Sequence, residues 1–127
     1  MISFFVTGNP VAQARPRTFW HDALRKFVSM SPRQSEEWKE LIQLKAYPYR
    51  PKLPINYPVR VKLDFYLPRP KGAREKIWAD VRPDVDNFAK AVLDALQKAG
   101  FFQDDSRVTW LECRKLYSRE GEVGVSV

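Results

Sequence analysis

The chain has 127 residues and a hydrophobic fraction of 44%, which suits one compact domain with a modest core. Lysine plus arginine number 22 against 15 for aspartate plus glutamate, and the formal net charge of +7 points to a polyanionic partner, most often nucleic acid. Cys113 is the sole cysteine and His21 the sole histidine, which excludes an intrachain disulfide and a cysteine-rich zinc site and leaves almost no raw material for a Ser-His-Asp triad.

The opening Ile2 to Val6 reads as a first strand. It is short, lacks a basic leader and ends at Gly8-Asn9-Pro10, so no secretory signal is expected. No apolar run approaches membrane-spanning length, and a lone cysteine fits a reducing compartment; the expectation is a cytoplasmic protein with no membrane partner. From Gly8 to about Ser31 the chain reads as irregular, with short strands around Thr18 to Trp20 and Lys26 to Ser29. Ser31-Pro32 opens a helix, serine as N-cap and proline at the first helical position. Trp38, Leu41, Ile42 and Lys45 recur at helical spacing, and Pro48 ends the run.

After a proline-rich connector, Val59 to Leu67 is the clearest strand. Val59, Val61, Leu63, Phe65 and Leu67 alternate with Arg60, Lys62, Asp64 and Tyr66, the period-two signature of one buried and one polar face. A basic loop with Arg69, Lys71, Arg74 and Lys76 runs to Arg82-Pro83. A second helix spans Val85 to Ala99 and stops at Gly100, a natural left-handed C-terminal residue. Val108 to Tyr117 and Glu122 to Val127 read as strands. The expected fold is a single α+β domain over 1–127, a small mixed sheet of four to six strands packed against two main helices.

The chemistry concentrates around the second helix. Phe88, Val92, Ala95, Leu96 and Ala99 make its apolar stripe; Asp86, Lys90 and Asp94 lie four residues apart on the opposite face, and Asp84 sits at the helix start. Each acid has an ordinary use: Asp84 as an N-cap, Asp86–Lys90 and Lys90–Asp94 as helix ion pairs, Asp104-Asp105 as a turn. Taken together, Asp84, Asp86 and the Asp104-Asp105 pair bracket one helix. If they meet in space, three or four carboxylates can hold one or two magnesium ions, the requirement for hydrolysing a phosphodiester. Lys90 can add positive charge at the transition state.

The run Asp84-Val85-Asp86-Asn87, Lys90-Ala91, Asp94-Ala95-Leu96, Lys98-Ala99-Gly100-Phe101 and Asp104-Asp105 resembles the RusA family of Holliday junction resolvases. Arg15-Pro16-Arg17 matches the family more weakly, and Pro83 interrupts the arginine run that several members carry before the first acid. The resemblance implies a RusA-like homodimeric endodeoxyribonuclease acting in DNA recombination and repair. Such an enzyme requires magnesium, with manganese as a substitute, and resolves four-way junctions by paired nicks that leave a 5′-phosphate and a 3′-hydroxyl. It implies metal-binding roles for Asp84, Asp86 and Asp105 and a catalytic role for Lys90. An acidic site that approaches a polyanion needs basic flanks; Arg15, Arg17, Lys71, Arg74, Lys76 and Arg82 are the candidates for phosphate contacts. Trp20, Trp78 or Phe101-Phe102 could stack on unpaired bases, with core packing as the commoner fate of aromatics. Two other readings stay open: a nucleic-acid-binding module without catalysis, and a metal-dependent phosphohydrolase of small phosphate esters.

Overall fold

The computed structural model describes residues 1–13, 17–21, 26–30, 33–119 and 124–127, with the backbone alone over 17–21, 26–30 and 125–126. In chain order it has strands β1 (Phe5–Thr7), β2 (Arg17–His21) and β3 (Lys26–Met30), helix α1 (Arg33–Ala46), strand β4 (Val59–Leu67), helix α2 (Val85–Ala99), and strands β5 (Val108–Tyr117) and β6 (Gly124–Ser126). The fold is α+β, two helices and a small mixed sheet in the order β1-β6-β4-β5. β4 and β5 are parallel, while β6 is antiparallel to both β1 and β4. β2 and β3 form a separate antiparallel hairpin. The Ser31-Pro32 helix start lies outside the described residues.

The period-two pattern of β4 has its expected result. Leu63 and Phe65 are fully buried against the helices, and Phe65 stacks on Phe88 of α2 with ring centroids 5.3 Å apart. Phe88, Ala91, Val92, Ala95 and Leu96 fill the space between sheet and helix, and Trp38, Ile42 and Ala46 of α1 close the same core. On α1 the buried stripe departs from the expected one. Lys39 is 4% exposed and Lys45 is exposed, because α1 lies against α2, where Asp94 receives the Lys39 ammonium.

The opposite face of β4 is polar but not wholly wet. Asp64 is buried on it and accepts two hydrogen bonds from Arg114 of β5, from Nε at 2.8 Å and Nη2 at 2.9 Å. That guanidinium holds the Asp64 carboxyl below its usual range, against the opposing effect of burial. α2 ends as expected: Gly100 adopts φ 95 and its N–H reaches the Gln97 and Leu96 carbonyls. No described helix is long and apolar enough to cross a membrane.

The order β4, α2, β5 with parallel strands fixes the direction of the helix. To begin a strand parallel to β4, the chain must return to the starting edge of the sheet, and α2 is the return. The N-terminus of α2 therefore lies at the end where β4 finishes, and its C-terminus lies where β5 begins.

Candidate functional site

Asp84 occupies the N-cap position of α2 with extended backbone (φ −69, ψ 149), yet its carboxylate makes no capping hydrogen bond. Its main-chain carbonyl starts the helix, accepting from the N–H groups of Asn87 and Phe88. Asp86 sits in the first turn, and both side chains are exposed. The ordinary uses expected of these residues are thus not realised. Asp84 does not cap, and Lys90 is in ion-pair contact with neither Asp86 nor Asp94 among the described residues. Asp94 instead binds Lys39 and Lys98, each at 3.2 Å. Two carboxylates and one ammonium stand uncommitted along one exposed helix face.

Asp105 lies at the other end. It opens a short 3-10 turn, Asp105–Arg107, just before β5, and its N–H donates to the Gln97 side chain at 2.9 Å. Gln97 is three turns along α2 from Asp86, about 16 Å of helix axis. Partial burial pushes the Asp105 carboxyl upward, as do the negative charges of Asp104 and Asp94, and Lys90 opposes them. Asp104 is drawn the other way, chiefly by the Ser106 hydroxyl that donates to it at 2.7 Å.

The structure therefore gathers Lys90, Asp94, Asp104 and Asp105 into one electrostatic neighbourhood, and places Asp84 and Asp86 together at the helix start. No contact between the two groups is found among the described residues, although Lys90, one turn from Asp86, lies within electrostatic reach of Asp105. Among the described residues no three His, Cys, Asp or Glu side chains are placed to share a metal ion. The donor chemistry nonetheless fits magnesium: every candidate is a hard carboxylate oxygen, and at Asp105 they are crowded enough that a divalent cation would relieve their repulsion.

The basic candidates divide. Lys71 and Arg82 are exposed and make no ion pair among the described residues. Arg74 is also exposed, at a turn position with φ 49. Lys76 is partly spent, paired with Asp80 at 2.5 Å. Arg15 lies outside the described residues, as does the side chain of Arg17. The segment leading to them is tied to the acid end of α2, because the Gln13 N–H donates to the Asn87 carbonyl at 2.9 Å.

Of the aromatic candidates, Phe101 and Phe102 are 5% and 4% exposed, so they serve the core and not base stacking. Trp78 is 54% exposed, and the Trp20 side chain lies outside the described residues. Sequence reading passed over three features. Trp110 is exposed, with the Arg60 guanidinium 5.2 Å from its ring centre. Arg69 braces the basic loop by donating to the carbonyls of Arg74, Lys76 and Ser118. Lys115 donates to the carbonyls of Val81 and Pro83. Only the alternation of β4 and β5 hinted at the first; the other two depend on long-range contacts.

A basic α+β protein with uncommitted carboxylates at a helix terminus and a second acidic pair at the far end of that helix belongs among candidate metal-assisted phosphodiesterases. Comparison with known proteins is specific. The family model described as "Endodeoxyribonuclease RusA" matches residues 7–127, and the chain belongs to this family. It is 36% identical over 137 aligned positions to a Bacillus subtilis (strain 168) protein named "Uncharacterized protein YqaN", covering 99% of this chain and 94% of that one. It is also 28% identical over 72 residues to the "Crossover junction endodeoxyribonuclease rusA" of Lactococcus phage r1t, covering 57% of this chain and 55% of the phage protein.

Proposed function

We propose that this chain is a single-domain, magnesium-dependent endodeoxyribonuclease that resolves Holliday junctions by paired nicks in recombination and repair, acting as a homodimer. The observation that carries this reading is the pair Asp84 and Asp86. In a chain of the RusA family they stand exposed at a helix terminus with no structural partner, although one occupies a capping position. A merely structural acid at that position would cap.

The separation of the acids supports the homodimer. One chain holds Asp105 near Gln97, three turns from Asp86. A two-fold axis that set two α2 helices antiparallel would carry Asp105 of the partner subunit toward Asp84 and Asp86, and symmetry would repeat the arrangement once. Two such sites match the near two-fold symmetry of a four-way junction and nick opposed strands.

In this reading Asp84, Asp86 and Asp105 would hold the cation, whose charge would offset that of the scissile phosphate and increase the acidity of the attacking water. Lys90 places an ammonium beside Asp105, where it offsets carboxylate repulsion and adds positive charge near the scissile phosphate. Lys71, Arg74, Lys76, Arg82, Arg15 and Arg17 supply phosphate contacts that position the arms.

The test is a four-way junction with and without magnesium, using wild type and Asp86→Asn. The expected result is magnesium-dependent paired cleavage by the wild type. The variant should retain junction binding while its cleavage falls by a factor on the order of 10³ or more, consistent with the loss of an essential group. Binding without cutting by the wild type would favour the non-catalytic module, and hydrolysis of a simple ester without junction preference would favour the phosphohydrolase.

A further inference from the structure

The turn that delivers Asp84 to the start of α2 has few hydrogen bonds of its own. Val81, Arg82 and Pro83 are exposed and lie in neither helix nor strand, and Pro83 has no N–H to donate. Among the described residues, the hydrogen bonds of this tripeptide come from one side chain. Lys115 of β5 donates from Nζ to the Val81 carbonyl at 2.5 Å and to the Pro83 carbonyl at 2.7 Å. The main chain of the same residue holds the segment just upstream, where the Lys115 carbonyl accepts from the Ala79 N–H at 3.1 Å.

The peptide plane supplies the consequence. The Pro83 carbonyl belongs to the planar unit that includes the nitrogen and Cα of Asp84. An ammonium that fixes this oxygen therefore fixes the N–Cα bond of Asp84, and the helix hydrogen bonds accepted by the Asp84 carbonyl hold the other side of the residue, so that together they set the direction of its side chain. The second bond, to Val81, prevents the plane from rotating as the turn flexes.

The choice of residue is also informative. Lys115 lies half-buried on the core-facing side of β5, in register with Phe65, and forms no ion pair within 4 Å among the described residues, its charge reaching the Asp80 carboxylate only at longer range. A lysine needed only for solubility would point to water, and one needed only for charge balance would meet a carboxylate. This one is spent on two main-chain oxygens directly before the first acid.

We propose that Lys115 is a positioning residue for the cation site: it clamps the Val81–Pro83 turn so that the Asp84 carboxylate, and with it the first turn of α2, is preset to receive a divalent ion. The inference rests on the nuclease reading above. Lys115 touches neither substrate nor ion, and acts through the direction it imposes on Asp84.

The experiment compares full-length wild type, Lys115→Met and Lys115→Arg. Four readouts are taken: thermal melting, terbium and magnesium titration without DNA, junction binding in EDTA, and cleavage against magnesium concentration. Lys115→Met keeps the stem and removes the donors. It should melt cooperatively and bind the junction in EDTA within threefold of wild type, while half-saturation by terbium and by magnesium rises at least about tenfold, the usual scale for losing a group that orients a ligand. Lys115→Arg, whose guanidinium can also reach two acceptors, should return half-saturation to within threefold.

A folded Lys115→Met that titrates both ions like wild type overturns the proposal, and so does a Lys115→Arg as weak as the methionine variant. If Lys115→Met does not melt cooperatively, Lys115→Gln, which is uncharged and whose amide nitrogen is one bond nearer the backbone, is judged by the same criteria. A wild-type protein that neither binds the ions nor cuts the junction sinks the nuclease reading and this one together. Normal wild-type activity with an indistinguishable Lys115→Met sinks this one alone.

Discussion

The buried ammonium of Lys39 makes a quantitative prediction about which half of an ion pair matters. Its side chain is 5% exposed and lies 3.2 Å from Asp94 and 3.3 Å from Glu36, whose side chains are 35% and 48% exposed. Removing one partner of a buried pair costs about 3–5 kcal/mol when nothing else compensates. Here Glu36 still faces Lys39 after Asp94→Asn, and the new amide oxygen can still accept. The cost should fall to about 1.5–2.5 kcal/mol, the lower part of that range discounted for the remaining charge.

Lys39→Met is the opposite case. It removes the desolvated charge and keeps most of the stem, while Asp94 retains Lys98 at 3.2 Å and partial access to water. Its cost should be below about 1 kcal/mol. Urea unfolding reads both variants. With m near 1.5 kcal/mol/M, Asp94→Asn should lower the midpoint by about 1–1.7 M and Lys39→Met by less than about 0.7 M, with m unchanged. Adding Lys39→Met to Asp94→Asn should recover stability, since no buried charge then lacks a carboxylate. If Lys39→Met costs as much as Asp94→Asn, or the double variant is the least stable, the buried-charge reasoning is wrong.

The other predictions concern charge, sheet and DNA. The Asp64 carboxyl is held low by Arg114, so its contribution to stability is present above the unfolded value of about 3.9 and is lost as pH falls through the lower folded value. Arg114→Met should therefore flatten the acid limb of a stability-versus-pH curve, and an unchanged limb would refute the assignment. Gly124→Ala should destabilise by about 1–3 kcal/mol or more in chemical unfolding, because a Cβ there would lie 2.2 Å from the main-chain oxygen of Val6. Lys90→Ala should lower turnover more than junction affinity in single-turnover kinetics; the reverse would make Lys90 a DNA anchor. Lys71→Gln should shallow the salt dependence of junction binding by about one unit. Lys76→Gln should do less, and Asp80→Asn should tighten binding, since Asp80 already occupies the Lys76 ammonium.

The local elements were legible because their causes are local. The alternation along Val59–Leu67, the apolar stripe of Val85–Ala99 and the left-handed residue at Gly100 each depend on neighbours a few positions away, and the observed boundaries of β4, α2 and β5 agree with the expected ones. The acid constellation was legible as a list of residues for the same reason. Its separation was not. Spacing along the chain does not reveal that β5 pairs parallel to β4, nor that the turn after α2 folds back so that the Asp105 N–H is tied to Gln97 near the end of that helix. The burial of Lys39 was not legible because helical periodicity sees hydrophobicity and not a carboxylate waiting on another helix.

Composition and periodicity were thus enough to expect an α+β fold, since those signals are written in short-range order and side-chain type, and the resemblance carried by one acidic motif pointed to the family that the comparison shows. Strand order, the bracing of the basic loop by Arg69 and the grip of Lys115 on the turn before Asp84 came only from the folded chain. They include contacts between residues tens of positions apart, Arg69 and Ser118 by 49 and Lys115 and Pro83 by 32. Which distant groups meet is decided by how the whole core packs, a quantity that no window of the chain contains.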